Sequence, residues 1–136
     1  MTIEQQTVRG LVARPPVEVA PDATLRSVAE TLTEELIGIV VVRGTRPAGA
    51  RADRAEGVVS ERDIIRALAE GLDPDEARAE DVMTMELESA SPTSSVESVA
   101  AQMLDNEVRH VPLIEGGVVV GVVSERDLLR ACYGEG

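Results

Sequence analysis

The chain has 136 residues, room for one compact domain or two closely packed halves, and its 25 acidic against 13 basic side chains give a net charge of −12. Every cation is Arg, and Tyr133 is the only aromatic residue. Long-range repulsion of phosphate polymers and the lack of rings on which bases could stack argue against nucleic-acid binding.

The opening M-T-I-E-Q-Q-T has no basic stretch leading into an apolar core, and no apolar run approaches membrane-spanning length. A cytoplasmic protein with no membrane partner is therefore expected. After Val8-Arg9-Gly10-Leu11, the pair Pro21-Asp22 precedes Leu25, Val28, Ala29 and Leu32. That spacing predicts an amphipathic helix, with Asp22 or Thr24 as its N-cap. Ile37 to Val42 reads as a strand, and Arg43 to Glu56 as a long hairpin connection, a solvated loop in preference to a ligand lid. Gly57 to Asp63, G-V-V-S-E-R-D, reads as a strand entering a helix that continues as I-I-R-A. Gly71 to Asp81 is polar and separates this part from the next, with Asp73-Pro74 placed to start one helical turn.

The elements then return. Pro92-Thr93 precedes Val96, Val99, Ala100 and Met103, and Ser94 with Glu97 stands at capping-box spacing. Val108 to Ile114 reads as a strand, Glu115-Gly116-Gly117 as a tight hairpin turn and Val118 to Val123 as its second strand. Gly121 to Asp127 repeats G-V-V-S-E-R-D without change, followed by L-L-R-A. Leu25 and Val96 lie 71 residues apart and Gly57 and Gly121 lie 64 apart, so the longer hairpin gives the first copy seven extra residues. The fold class expected is α/β: two β-α-β-β-α repeats, 1–70 and 81–136, joined by a linker at 71–80, with sheets facing inward and helices outward.

Three segments carry a family resemblance: G-V-V-S-E-R-D with its following helix, A-E-D-V-M-T at Ala79 to Thr84, and V-R-H-V-P-L-I at Val108 to Ile114. Together, over nearly the whole chain, they resemble the CBS domain, named after cystathionine β-synthase. The second copy is the fuller match. In the first, Val8-Arg9-Gly10-Leu11 stands where D-V-M-T would be, and Ile37-Gly38-Ile39-Val40 replaces the Arg-His strand. The resemblance implies a pseudo-two-fold pair of repeats, a stand-alone Bateman module, with two clefts of the kind occupied by adenosine-containing ligands: AMP, ADP or ATP, with NAD or S-adenosylmethionine as alternatives. It also implies a flat homodimer formed through helical faces and a regulated protein on another chain.

The chemistry of the repeated residues agrees with such a site. Asp63 and Asp127 each offer a carboxylate to a ribose diol, Ser60 and Ser124 sit at the strand-helix junctions, and a helix start favours phosphate. Ser-x-x-Asp is equally the pattern of a capping box, so capping and ligand binding both stand as readings. Arg109 suits bidentate phosphate contact, with His110 beside it; an exposed Arg and a backbone-satisfied His are the alternative. Met83 and Thr84 could line the second cleft, but a Met after Val is more often core than ligand wall, and both are left out of the candidate site. One His, one Cys and no ligand spacing give no metal site. With neither G-x-x-x-x-G-K-S/T nor G-x-G-x-x-G, and no nucleophile elbow around Ser60, Ser124 or Cys132, the chain is read as a non-enzyme whose rival role is a dimerisation module with vestigial clefts.

Overall fold

The computed structural model describes residues 6–12, 15–43, 57–85 and 88–133. The long connection lies, but for Arg43, at 44–56, outside the described residues, as do residues 1–5 of the opening. The chain forms two compact units, Val17–Leu87 and a second made of Met1–Pro16 with Glu88–Gly136.

In Val17–Leu87, strand β1 (Glu18–Val19) leads to helix α1 (Leu25–Glu35), strands β2 (Ile39–Val42) and β3 (Gly57–Ser60), helix α2 (Glu61–Ala69) and a single-turn helix α3 (Ala79–Val82). β1 runs parallel to β2, and β2 pairs antiparallel with β3 from Ile39↔Ser60 to Val42↔Gly57. All four β2 residues are buried, which is why Ile39–Val42 reads as a continuous apolar run rather than an alternating one. The predicted stripe of α1 is the buried face: Val28 and Leu32 pack with Val40, Val42, Val59 and Ile64, and Leu25 packs with Ala67 and Ala77. Each such side chain contributes roughly 1.5–3 kcal/mol by leaving water. Thr24 is the N-cap, its hydroxyl accepting from Ser27 N at 3.2 Å. The turn at Asp73-Pro74 forms through Ala77 N donating to Asp73 O at 2.8 Å, with the Asp73 carboxylate accepting from Asp75 N at 2.9 Å.

The other unit holds a 3₁₀ turn at Val8–Leu11, helix α4 (Val96–Asn106), strands β4 (His110–Glu115) and β5 (Val118–Ser124), and helix α5 (Glu125–Tyr133). Val8, Val96, Val99, Met103, Val111, Leu113, Val123 and Leu128 make its core. The β4–β5 hairpin turns at Gly116 (φ 61°) and Gly117 (φ 80°), a pair of left-handed positions that glycine occupies without a Cβ penalty. A bulge between Leu113 and Ile114 leaves Val120 outside the register, and Val120 is exposed. The short strand expected before α4 is reduced to one parallel bridge, Ala90↔Leu113. The capping box at Ser94 and Glu97 is not formed: Ser95 is the N-cap, accepting from Ser98 N at 3.0 Å, while Ser94 Oγ accepts from Ser91 N at 3.2 Å. The run of three hydroxyls Thr93-Ser94-Ser95 let the cap slide by one residue, and Ser95 matches Thr24 of the first copy.

Each unit borrows the opening segment of the other copy. Leu25 N donates to Ala77 O (3.0 Å), Ala79 N to Ala23 O (2.8 Å) and Glu80 N to Pro21 O (2.9 Å). The other unit repeats all three: Val96 N to Gln6 O (3.0 Å), Val8 N to Ser94 O (2.9 Å) and Arg9 N to Pro92 O (3.1 Å). Val8 therefore corresponds to Ala79, and D-V-M-T at Asp81–Thr84 corresponds to 10–13, two residues beyond the alignment expected from the sequence.

Candidate functional site

The two G-V-V-S-E-R-D blocks form two strand-helix junctions of the same geometry. At the first, Glu61 N donates to Gly38 O (3.0 Å), Asp63 N to Ser60 Oγ (3.2 Å) and Ser60 N to Asp63 Oδ2 (2.9 Å). At the second, Glu125 N donates to Arg109 O (2.8 Å), Asp127 N to Ser124 Oγ (3.1 Å) and Ser124 N to Asp127 Oδ2 (2.8 Å). The capping box is thus present at both. The N–H groups of Glu61 and Asp63, and of Glu125 and Asp127, are bonded to these protein acceptors. The cap draws on Oδ2 alone. An ionised carboxylate has about four acceptor sites, so the Asp retains capacity for a ligand diol while it caps.

The residues around the caps differ. At the second junction His110 lies opposite Ser124 in the β4–β5 register, and Arg109, its side chain 81% exposed, has Nε 3.8 Å from Glu125 Oε2. Arg109, His110, Ser124 and Asp127 are therefore neighbours in one unit. At the first junction Ile39 lies opposite Ser60, and Thr84 reaches across to donate from Oγ1 to Asp63 Oδ1 at 3.5 Å. Thr84, left out of the site residues expected from the sequence, therefore stands beside Asp63. It is exposed, and a bridge to Val58 holds it there, Thr84 N donating to Val58 O (2.8 Å) and Val58 N to Thr84 O (3.1 Å).

That bridge explains the glycine of the motif. A Cβ on Gly57 would stand 2.7 Å from Thr84 O, and one on Gly121 would stand 2.9 Å from a Val12 methyl carbon. The glycine admits the opening segment, the second Val fills the core, and Ser and Asp cap the helix. The Glu-Arg pair of the motif is exposed at both junctions. A separate cleft of about 330 Å³, lined by Arg9, Val12, Pro15, Glu115 and Val120 among others, opens at the hairpin end of the Met1–Pro16/Glu88–Gly136 unit, and none of the six candidate residues lines it. Among the described residues no group of three or more His, Cys, Asp or Glu is placed to hold a metal ion, and no helix is long and apolar enough to cross a membrane.

Comparison with known proteins places these junctions in a family. The sequence profile of the CBS domain matches residues 8–70 and again 79–134. Hypoxic response protein 1 of Mycobacterium tuberculosis is 32% identical over 113 residues, covering 82% of this chain and 75% of its own length. A CBS domain protein of Pyrobaculum aerophilum, solved in complex with AMP, is 34% identical, with TM-score 0.77 over 90% of this chain and 89% of that one. The CBS domain pair of the protein MJ0100, solved with 5′-methylthioadenosine and S-adenosyl-L-methionine, shares the fold at TM-score 0.78 and 22% identity, over 93% of this chain and 99% of that one. With the repeat visible in sequence, hydrogen bonding and profile alike, the chain belongs to the CBS-domain family and is a tandem pair of such domains.

Proposed function

We propose that the chain is a regulatory module that binds an adenosine-containing nucleotide at its two Ser-x-x-Asp junctions and signals the occupied state to another protein. The observation that carries this is the duplicated junction, in which an Asp that caps a helix through one oxygen keeps acceptor sites for a ribose diol, in a chain 34% identical to a relative solved with AMP. Ser60, Asp63, Ser124 and Asp127 are assigned to the sugar, and Arg109 and His110 to the phosphate end. The repeats are taken as 1–70 and 81–136, joined by 71–80. No catalytic step is assigned. Calorimetric titration with AMP, ATP, NAD and S-adenosylmethionine tests the reading, which requires saturable binding of at least one; silence for all four sinks it.

A second reading has its own observation. Ile65 (66%) and Leu68 (48%) on α2, and Leu129 (52%) on α5, expose apolar side chains, and Ile65 and Leu129 occupy matching positions in the two copies. Water-exposed apolar surface on both matched helices supports a homodimer formed through them. Light scattering at micromolar concentration should give twice the 14.4 kDa chain mass. A monomer mass with and without nucleotide removes this part.

A further inference from the structure

We infer that the cleft at the hairpin end of the Met1–Pro16/Glu88–Gly136 unit is a second ligand site, built for a small zwitterion: an α-amino acid with an aliphatic side chain. It stands apart from the nucleotide reading, because none of Arg109, His110, Ser124 and Asp127 lines it. At about 330 Å³ it falls at the lower end of small-molecule sites, which run from about 300 to 1,000 Å³. Its walls come from separate parts of the chain: Val12 and Pro15 from the opening segment, Pro92 from the turn before α4, and Val120 from β5. The bulge between Leu113 and Ile114 sets Val120 out of register and leaves it 41% exposed at the cleft. Apart from one ion pair the lining is aliphatic, with no ring to stack on a base.

That ion pair sets the ligand's charge. Arg9 Nη2 donates to Glu115 Oε2 at 2.7 Å, with both side chains more than half exposed. The contact uses a single donor of the guanidinium fork and a single oxygen of the carboxylate. The remaining donors and the second oxygen can take a ligand carboxylate and a ligand ammonium side by side, so the pair need not break. A net anion would be repelled by Glu115 and a net cation by Arg9, whereas a zwitterion sets each charge opposite its complement. Its aliphatic side chain then covers Val12, Pro15, Pro92 and Val120. A role as a clamp accounts poorly for the pair. Exposed ion pairs hold little, and the opening turn is already tied by Val8 N to Ser94 O and Arg9 N to Pro92 O. Nor does the fold require it, since Glu80 stands at the position matching Arg9 in the other unit.

Leucine is the probe, followed by ¹H–¹⁵N NMR of the labelled chain at up to about 20 mM ligand, because a molecule this small binds an open cleft weakly. The amides of Glu115, Val120 and Gly121 should shift saturably. Glycine lacks the side chain, 4-methylpentanoate the ammonium and leucine amide the carboxylate. Each should bind roughly tenfold or more weakly than leucine, as expected for one lost contact of these kinds. Arg9→Gln, Glu115→Gln and Val120→Ser change exposed side chains, so these chains should melt like the unaltered one while losing leucine by a similar factor. Asp127→Asn should bind leucine unchanged. No saturable shift at the three amides overturns the inference, and so does equal binding of 4-methylpentanoate, a test that needs no variant. Unchanged leucine affinity in Arg9→Gln with a lowered melting midpoint would leave the pair a clamp and overturn it too. Loss of leucine in Asp127→Asn would move the ligand to the junction, against this inference but not against the nucleotide reading.

Discussion

Replacing Gly57 by Ala sets one methyl group against the backbone of the opening segment. The new Cβ would lie 2.7 Å from Thr84 O, 3.2 Å from Met85 Sδ and 3.3 Å from Met83 Cγ. The two Met side chains can turn away, but the carbonyl cannot, because Thr84 is bound in both directions to Val58 at 2.8 and 3.1 Å. Relief therefore requires the opening segment to lift from β3. Losing two hydrogen bonds costs about 1–3 kcal/mol, crowding adds about 1–3 kcal/mol where relaxation is incomplete, and the stiffer unfolded chain returns about 0.4–1 kcal/mol. The net expectation is a loss of about 2–4 kcal/mol. Gly121→Ala is the internal control. Its Cβ meets only a side chain, Val12, at 2.9 Å, so the cost should be about 1–2 kcal/mol and Val12→Ala should relieve it. Urea unfolding at equilibrium, followed by far-ultraviolet circular dichroism, measures both. If Gly57→Ala costs no more than Gly121→Ala, or loses under about 0.5 kcal/mol, the account of the glycine is wrong.

Other consequences are equally direct. Ser60→Ala and Ser124→Ala each remove an N-cap and should lose about 1 kcal/mol in the same assay, whereas Ser94→Ala, at a residue that does not cap α4, should lose markedly less than Ser95→Ala. Leu36 (φ 58°) and Glu107 (φ 54°) end α1 and α4 in the left-handed region, so glycine at either should stabilise by about 1 kcal/mol, and an unfolding midpoint that falls in both variants contradicts the strain argument. The Arg26 guanidinium, which hydrogen-bonds both carboxylate oxygens of Asp75, holds that carboxyl below its ordinary value of 3.8, first by hydrogen bonding and then by charge. A depressed folded value means that the contribution is present above the ordinary carboxylate range and fades as pH falls through the folded value, so carbon-detected NMR should find Asp75 titrating low and Arg26→Gln should return it upward. Because the chain carries −12, the thermal midpoint should rise as sodium chloride goes from about 10 mM to about 500 mM, the range over which the screening length falls from about 30 Å to under 10 Å; a midpoint that drops would mean that ion pairs outweigh self-repulsion.

Elements with strong periodicity were legible in the sequence. Leu25, Val28 and Leu32 form the buried stripe of α1, and Gly116-Gly117 turns the hairpin as its composition demands, because both features depend on residues adjacent in the chain. The N-cap of α4 was not, since three successive hydroxyls are alike in one dimension and only packing chooses Ser95. The same limit applied to the site. Ser60, Asp63, Ser124 and Asp127 stand out because they repeat, while Thr84 does not repeat and reaches Asp63 only because the opening segment crosses β3 beside Gly57. The identical glycines at 57 and 121 were the available signal: a glycine retained inside a strand marks a close backbone approach. The exchange of opening segments has no periodic signature at all, and emerges from matched hydrogen bonds such as Ala79 N to Ala23 O and Val8 N to Ser94 O.

The most direct test of the central claim is a two-dimensional ¹H–¹⁵N NMR titration of the labelled chain with AMP. Ligand seated on the capping carboxylates should move the amides of Ser60, Asp63, Ser124 and Asp127 saturably, because these N–H groups belong to the same hydrogen-bonded boxes as the Asp oxygens. If those four amides stay in place while AMP is in excess, the Ser-x-x-Asp pairs are caps and nothing more, and the nucleotide-binding account of the two junctions is contradicted.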